Sequence, residues 1–537
     1  MNAATILAAS IVLFAIAYRF YSPWIERRLG VEAGRRTPAH TMRDDVDYCP
    51  ARMPVLFGHH FASIAGAAPI VGPIVAAAYG WLPVILWIVI GGIFMGSVHD
   101  FASLVASIRH SGRSIGEVIA DHVGRTGGKI FLVFLFAALV LLIAVFLVIV
   151  AKTFAEVPSA ATASMLFIAL AVLFGIAVYR LRFPIWLSTI VGVALLASCM
   201  LAGWAWPIRL SETTWALLLL AYCFISSVTP VWILLQPRDY LNSFLLYALA
   251  AGVVAGIFVA QPELKLPAFA SWSDPGIGPL FPMLFVTVAC GAISGFHSIV
   301  ASGTTAKQLD REKDARPIGY GAMLVECLVA VAALIAAARL ATSDYASTLA
   351  SQGPVALFSA GTGEMLSKLG IKASSGAQFA ALAVSAFVMT TLDTATRLCR
   401  FAFQEFFAPR RGKKPGILSK NRYIATAATI ACAATLALSG SWKAIWPIFG
   451  ASNQLLAALA LLAVSIWLKS KGKKTRFLEI PMVAMFVITL SALGSIVWTN
   501  YAKANYTISA IGAALFALAA LLVIESVKSI RRTMESR

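Results

Sequence analysis

Apolar runs of roughly 17–25 residues, the length that crosses a hydrocarbon core as an α-helix, recur from one end of this 537-residue chain to the other. Nothing the size of a soluble domain separates them, so whatever the protein does is done in or beside a membrane. The composition agrees: 60% of residues are hydrophobic, mean hydropathy is +0.83 and only 12% are charged, against about 25% in ordinary soluble domains. The expected fold class is an all-α polytopic membrane protein. Spans are expected near residues 3–22, 54–79, 82–104, 129–151, 162–179, 184–203, 214–235, 241–260, 281–302, 318–341, 376–396, 422–439, 444–468, 479–498 and 505–525, about fifteen transmembrane helices in all.

A formal net charge of +19 would suit nucleic-acid binding if the cations lay on one soluble face, but they alternate with the spans. With the N-terminus outside, 34 of the 43 Lys and Arg fall in the cytoplasmic segments and eight outside. Arg19 sits in the first span. This is the positive-inside pattern; it predicts an outside N-terminus, a cytoplasmic C-terminus and no nucleic-acid partner, with membrane lipid as the surroundings. Residues 3–18 lack a basic region before the apolar run and read as a retained helix rather than a signal peptide. The seven cysteines have no metal-type spacing and read as buried packing thiols.

Two long, basic connections, 23–53 and 397–421, divide the chain. The expected organisation is a first helix and basic loop (1–53), a ten-helix core (54–404), a basic linker (405–421) and a four-helix C-terminal bundle with its tail (422–537). The ten core spans form two sets of five, and because five is odd the second set starts from the opposite side. Each set opens on a span that looks interrupted. In the first, Gly58-His59-His60 and Gly66 to Pro69 break an apolar run; in the second, Thr229-Pro230 does so. Interrupted helices at matching places in inverted halves are a pointer to a substrate site in secondary transporters. Gly and Pro are also simply commoner in membrane helices. Outside the core, Trp446 to Gln454 is the one polar, glycine-containing stretch, suited either to flanking a cavity or to capping a bundle.

Gly58-His59-His60-Phe61-Ala62-Ser63-Ile64-Ala65-Gly66, Val98-His99-Asp100, Gln236-Pro237-Arg238-Asp239-Tyr240-Leu241, Ser294-Gly295-Phe296-His297-Ser298, Ser302 to Gln308 and Trp446 to Gln454 together resemble the carbon starvation protein A family. The resemblance, from about residue 50 to 460, implies an inner-membrane transporter of peptides or of pyruvate. It also implies membership of the amino acid-polyamine-organocation superfamily, whose fold is a five-plus-five inverted repeat (LeuT-like). Here one N-terminal and four C-terminal helices would be extra.

Ionisable groups at membrane depth are costly and therefore functional candidates. His59, His60, Ser63, Gly66, Thr229 and His297 are expected to bind substrate. His60, Ser302, Thr305 and Glu326 are expected to couple an ion, and Asp100, Arg238 and Lys307 are candidate gate residues. Histidine titrates near physiological pH and suits a proton; Ser302 and Thr305, three apart, could instead hold sodium with backbone near Ala62 to Ala65. Glu326 is read either as a proton acceptor or as a partner of Lys307. Asp393 and Arg397, four apart, are expected to form a helix-surface ion pair. Arg238 and Asp239 are expected to begin a cytoplasmic turn. No cofactor is expected beyond a coupling ion, H⁺ or Na⁺, and the substrate is expected to be a small anion, pyruvate or a peptide, because free N–H groups at a half-helix start favour negative charge. The expected activity is therefore ion-coupled symport rather than enzymatic chemistry. The competing classes are a passive channel and an intramembrane metalloenzyme with His59, His60, His99 and Asp100 as ligands. The absence of a His-Glu-x-x-His motif weighs against the second.

Overall fold

Backbone groups in lipid must bond within their own segment, and long apolar runs do so as helices. A computed structural model describes residues 2–44, 47–230, 232–408, 416–439 and 442–535. In chain order these residues form α1 (Ala3–Leu29), the bent pair α2 (Met53–Ile64) and α3 (Ala68–Tyr79), α4 (Trp81–Arg109), α5 (Thr126–Glu156), α6 (Pro158–Val178), α7 (Ile185–Ala205), a shorter α8 (Glu212–Val228) and α9 (Leu235–Ala260). A broken segment follows, with α10 (Leu280–Thr287) and α11 (Gly295–Val300) as two of its pieces. The remainder are α12 (Glu312–Ala338), α13 (Ala373–Phe406), α14 (Arg422–Ser439), α15 (Ile445–Ser470), α16 (Arg476–Ala502) and α17 (Tyr506–Glu525). Among the described residues twelve single helices are long and apolar enough to span, and the α2–α3 pair makes a thirteenth. The two other expected spans are the 17-residue α8 and the broken α10–α11 segment.

The α2–α3 break follows the sequence. α2 stops where Ala65 leaves helical geometry, and Pro69 sits in the first turn of α3, where its missing N–H costs nothing. The two pieces meet at 46°. Gly66 allows the turn to lie against its neighbours: a methyl there would crowd Thr391 Oγ1 at 2.8 Å and the Phe146 ring at 2.9 Å. The far end of α3 is held by Tyr345, whose hydroxyl donates to the Ile74 carbonyl at 2.7 Å. Tyr345 lies in the 10-residue helix Thr342–Ser351, inside a stretch expected to be a connection.

One expectation needs correction. The 281–302 stretch was read as one continuous span, yet it breaks at Val288 and again at Ile293–Ser294. It then widens into a π turn over Ala301–Thr305, a form frequent at functional sites. The four helices after residue 422 differ in how deeply they are packed. The apolar stretch of α15 is 100% buried, against 28% for those of α14 and α17, and α15 packs against α5, α4, α10 and α11. In the second interrupted span, α8 ends at Val228 and α9 starts at Leu235; Val231 lies outside the described residues, as do residues 409–415 of the basic linker.

Candidate functional site

Around the breaks in α2–α3 and α10–α11, polar side chains form two groups. In the first, Asp100 from α4 is fully buried and accepts from two imidazoles. His99 Nδ1 lies 2.8 Å from Asp100 Oδ1 and His297 Nδ1, from α11, 2.7 Å from Oδ2. The opposite nitrogen of His297 faces Glu326 Oε2 on α12 at 3.3 Å, and both Glu326 oxygens lack any hydrogen-bond partner. Nearby, His60 Nδ1 meets the Thr305 hydroxyl at 2.8 Å. The result is a string of two carboxylates and two imidazoles, closed off from water, in which the count of bound protons sets the charge. Two carboxylates bridged by one imidazole can exchange a proton through its two nitrogens.

The second group lies between α2, α8, α9 and α13. His59 Nδ1 comes within 3.2 Å of Asp239 Oδ2. Arg238 pairs with Asp393 through Nη1, the same nitrogen that donates to the Tyr222 hydroxyl at 2.5 Å; that hydroxyl donates to Asp393 Oδ2 at 2.7 Å. Asn242 reaches Thr390 Oγ1 at 3.2 Å. Ser63 Oγ has no partner, while its carbonyl accepts from Thr391 at 3.4 Å.

Of the expected site residues, His59, His60, Ser63, Gly66, His297, Thr305, Glu326, Asp100 and Arg238 therefore converge on the broken helices. Three do not. Thr229 turns its hydroxyl back to the Ile225 carbonyl at 2.7 Å. Ser302 spends its hydroxyl on the Ser298 carbonyl at 2.7 Å and accepts the Ile115 N–H at 3.1 Å. Thr305 is engaged by His60. Lys307 stands over the Tyr48 ring at 5.3 Å, in a cavity of about 510 Å³ at the end of the bundle that carries the basic loops, lined also by Arg113, Glu117, Leu398 and Glu405. It is thus not the partner of Glu326, which faces His297.

Arg238 and Asp239 begin no surface turn: both are buried in the first turns of α9, with 2% and 1% exposure, because Asp393 neutralises the arginine. Asp393 accordingly does not pair with Arg397. Arg397 donates instead to the Ser226 and Thr229 carbonyls at 2.9 and 2.5 Å, placing positive charge at the C-terminal end of α8, where the helix dipole favours it. Among the described residues no group of three His, Cys, Asp or Glu is arranged to hold a metal ion.

Tyr222 and Asn453 were not singled out from sequence. Asn453, on α15, staples the α10–α11 break: its Oδ1 accepts the Phe296 N–H at 2.8 Å and its Nδ2 donates to Ser294 Oγ at 3.0 Å. Gln454 donates to the Phe285 carbonyl at 2.7 Å and Trp446 to the Thr287 carbonyl at 3.3 Å. The Trp446–Gln454 stretch thus supplies the hydrogen bonds that a broken helix in lipid needs.

The family model for carbon starvation protein CstA matches residues 2–352 and 341–492. This chain belongs to the CstA family. Among its CstA relatives, the peptide transporter CstA of Campylobacter jejuni is 34% identical over 92% of this chain and 80% of its own length. The pyruvate/proton symporter BtsT of Escherichia coli is 34% identical over 92% and 81%, and the peptide transporter CstA of Bacillus subtilis 35% over 91% and 89%. The CstA chain also shares its fold with a crystal structure of the Eremococcus coleocola manganese transporter, at TM-score 0.51 and 14% identity, covering 91% of this chain and 99% of that one. It is a multi-pass membrane protein whose relatives are transporters.

Proposed function

We propose that this chain takes up a small carboxylate, pyruvate or a short peptide, into the cytoplasm by proton symport with alternating access around the broken helices. The N-terminus is outside and the basic loops are cytoplasmic. The observation that carries the reading is the buried string His99–Asp100–His297–Glu326, joined at α2 by His60 and Thr305. It links the first broken segment to the second, so a proton bound there acts on both. A group of this kind at membrane depth is the usual mark of a proton path, and a relative is named a pyruvate/proton symporter. Discontinuous helices of this kind are where secondary transporters bind their cargo.

The test is uptake of labelled pyruvate, and separately of labelled dialanine, into proteoliposomes under an inward proton gradient. Accumulation that a protonophore abolishes is the expected result. Uptake that stops at equilibrium, or follows an imposed sodium gradient instead, would overturn it.

A further inference from the structure

We propose that Arg238 is the residue that recognises the carboxylate of the cargo, with Asp393 as the internal carboxylate that holds its place. This rests on the carboxylate-transport reading above. A guanidinium offers five N–H donors in a planar fork that grips a carboxylate through two parallel bonds. In this buried site the fork is only half used. Nη1 alone meets both Asp393 Oδ2 and the Tyr222 hydroxyl, while Arg238 Nε and Asp393 Oδ1 are buried without a partner. A pair kept for stability alone would satisfy both edges, since an open donor in a low-dielectric interior costs about 1–3 kcal/mol. The pair thus keeps an unused donor edge and an unused acceptor oxygen; Asn242, one turn further along α9, has its Oδ1 unpartnered as well, and Ser63 Oγ on α2 also lacks a partner.

The surrounding charges say what can enter. Arg238 and Asp393 cancel, and the other titratable groups that bear on the arginine are Tyr222 and Cys223 from α8 and Asp239 beside it on α9. His59 from α2 faces Asp239. A second carboxylate docking on the open edge adds one negative charge beside these groups. Arg238 therefore selects a monocarboxylate, or the C-terminus of a peptide. The large cavity at the basic end reaches Leu398, about a turn and a half along α13 from Asp393, which gives cargo a route from that side once the helices part.

Removing Arg238 alone leaves Asp393 stranded and can prevent folding, so the decisive variant is the double change Arg238→Gln with Asp393→Asn, which removes both charges; Arg238→Lys keeps charge without the fork. Each is reconstituted and its thermal unfolding checked against wild type. Uptake of labelled pyruvate and labelled dialanine is then measured in competition with pyruvamide and dialanine amide. Expected are a rise in KM of about tenfold or more in the double variant, the loss of one or two charge-assisted bonds, and equal competition by acid and amide. Arg238→Lys falls between. A folded double variant with wild-type KM and intact preference for the acid would overturn the assignment while leaving the transport reading standing. Wild-type protein that takes up neither probe would overturn both.

Discussion

Among the described residues Glu326 faces His297 at 3.3 Å, and that makes its protonation state a property of the site rather than of the residue. Glu326→Gln keeps the shape and removes the titration. It is expected to cut proton-driven accumulation about a hundredfold, in the range for loss of a positioned acid–base group, while exchange of preloaded against external substrate persists. Counterflow measured beside net uptake checks this. The His60–Thr305 contact is a gentler case: Thr305→Val strands His60 Nδ1 and should lower uptake several-fold at a stability cost of about 1 kcal/mol, read from uptake rate and thermal unfolding together. The histidines and Glu326 are legible in sequence because each is an ionisable group in an apolar run. Arg238 and Asp393 were misread for one reason: each looks like a membrane-edge residue until its partner, 155 positions away, is known. The signal was there in outline, since a buried acid at membrane depth asks for a buried base.

At the level of elements, the interruption in α2–α3 was readable from Gly66 and Pro69, while the one in α10–α11 was missed. Val288 and Ile293 are β-branched and apolar, and Gly291 and Ser294-Gly295 are the local signals that weaken a helix there. The break is held from outside by α15. Gly295 shows how tightly: a methyl on it would collide with the Asn453 carbonyl and with Leu456, so Gly295→Ala is expected to abolish correctly assembled protein, seen as loss of the monodisperse peak in detergent. Asn453→Ala leaves the Phe296 N–H and Ser294 hydroxyl without their partner and should cost about 1–3 kcal/mol. Because it loosens the segment that carries His297, it should also slow uptake by more than the loss of folded protein accounts for.

For the whole molecule, the helical class followed from hydropathy, whereas the central place of α15 among the packed helices did not. Hydropathy says which segments enter the membrane and is silent on which of them reach the centre. The basic end is tied across the chain as well. Arg109, at the end of α4, bonds Glu312 at 2.5 Å and the Gly30 carbonyl at 2.6 Å, Arg316 bonds Glu26 at 2.9 Å, and Lys473 reaches the Leu29 carbonyl at 2.9 Å. Glu312→Gln strips a buried carboxylate from this knot and is expected to destabilise the protein by about 3 kcal/mol, measured as a fall in the midpoint of thermal unfolding. The hydrogen bond from Phe296 to Asn453 joins residues 157 positions apart. At ~5–20 residues per second of synthesis, α10 and α11 are made roughly ten to thirty seconds before the helix that satisfies them. During that interval the nascent chain holds an open backbone segment that belongs in no lipid, and it must wait at the translocon, or under a chaperone's cover, until the ribosome has delivered α15.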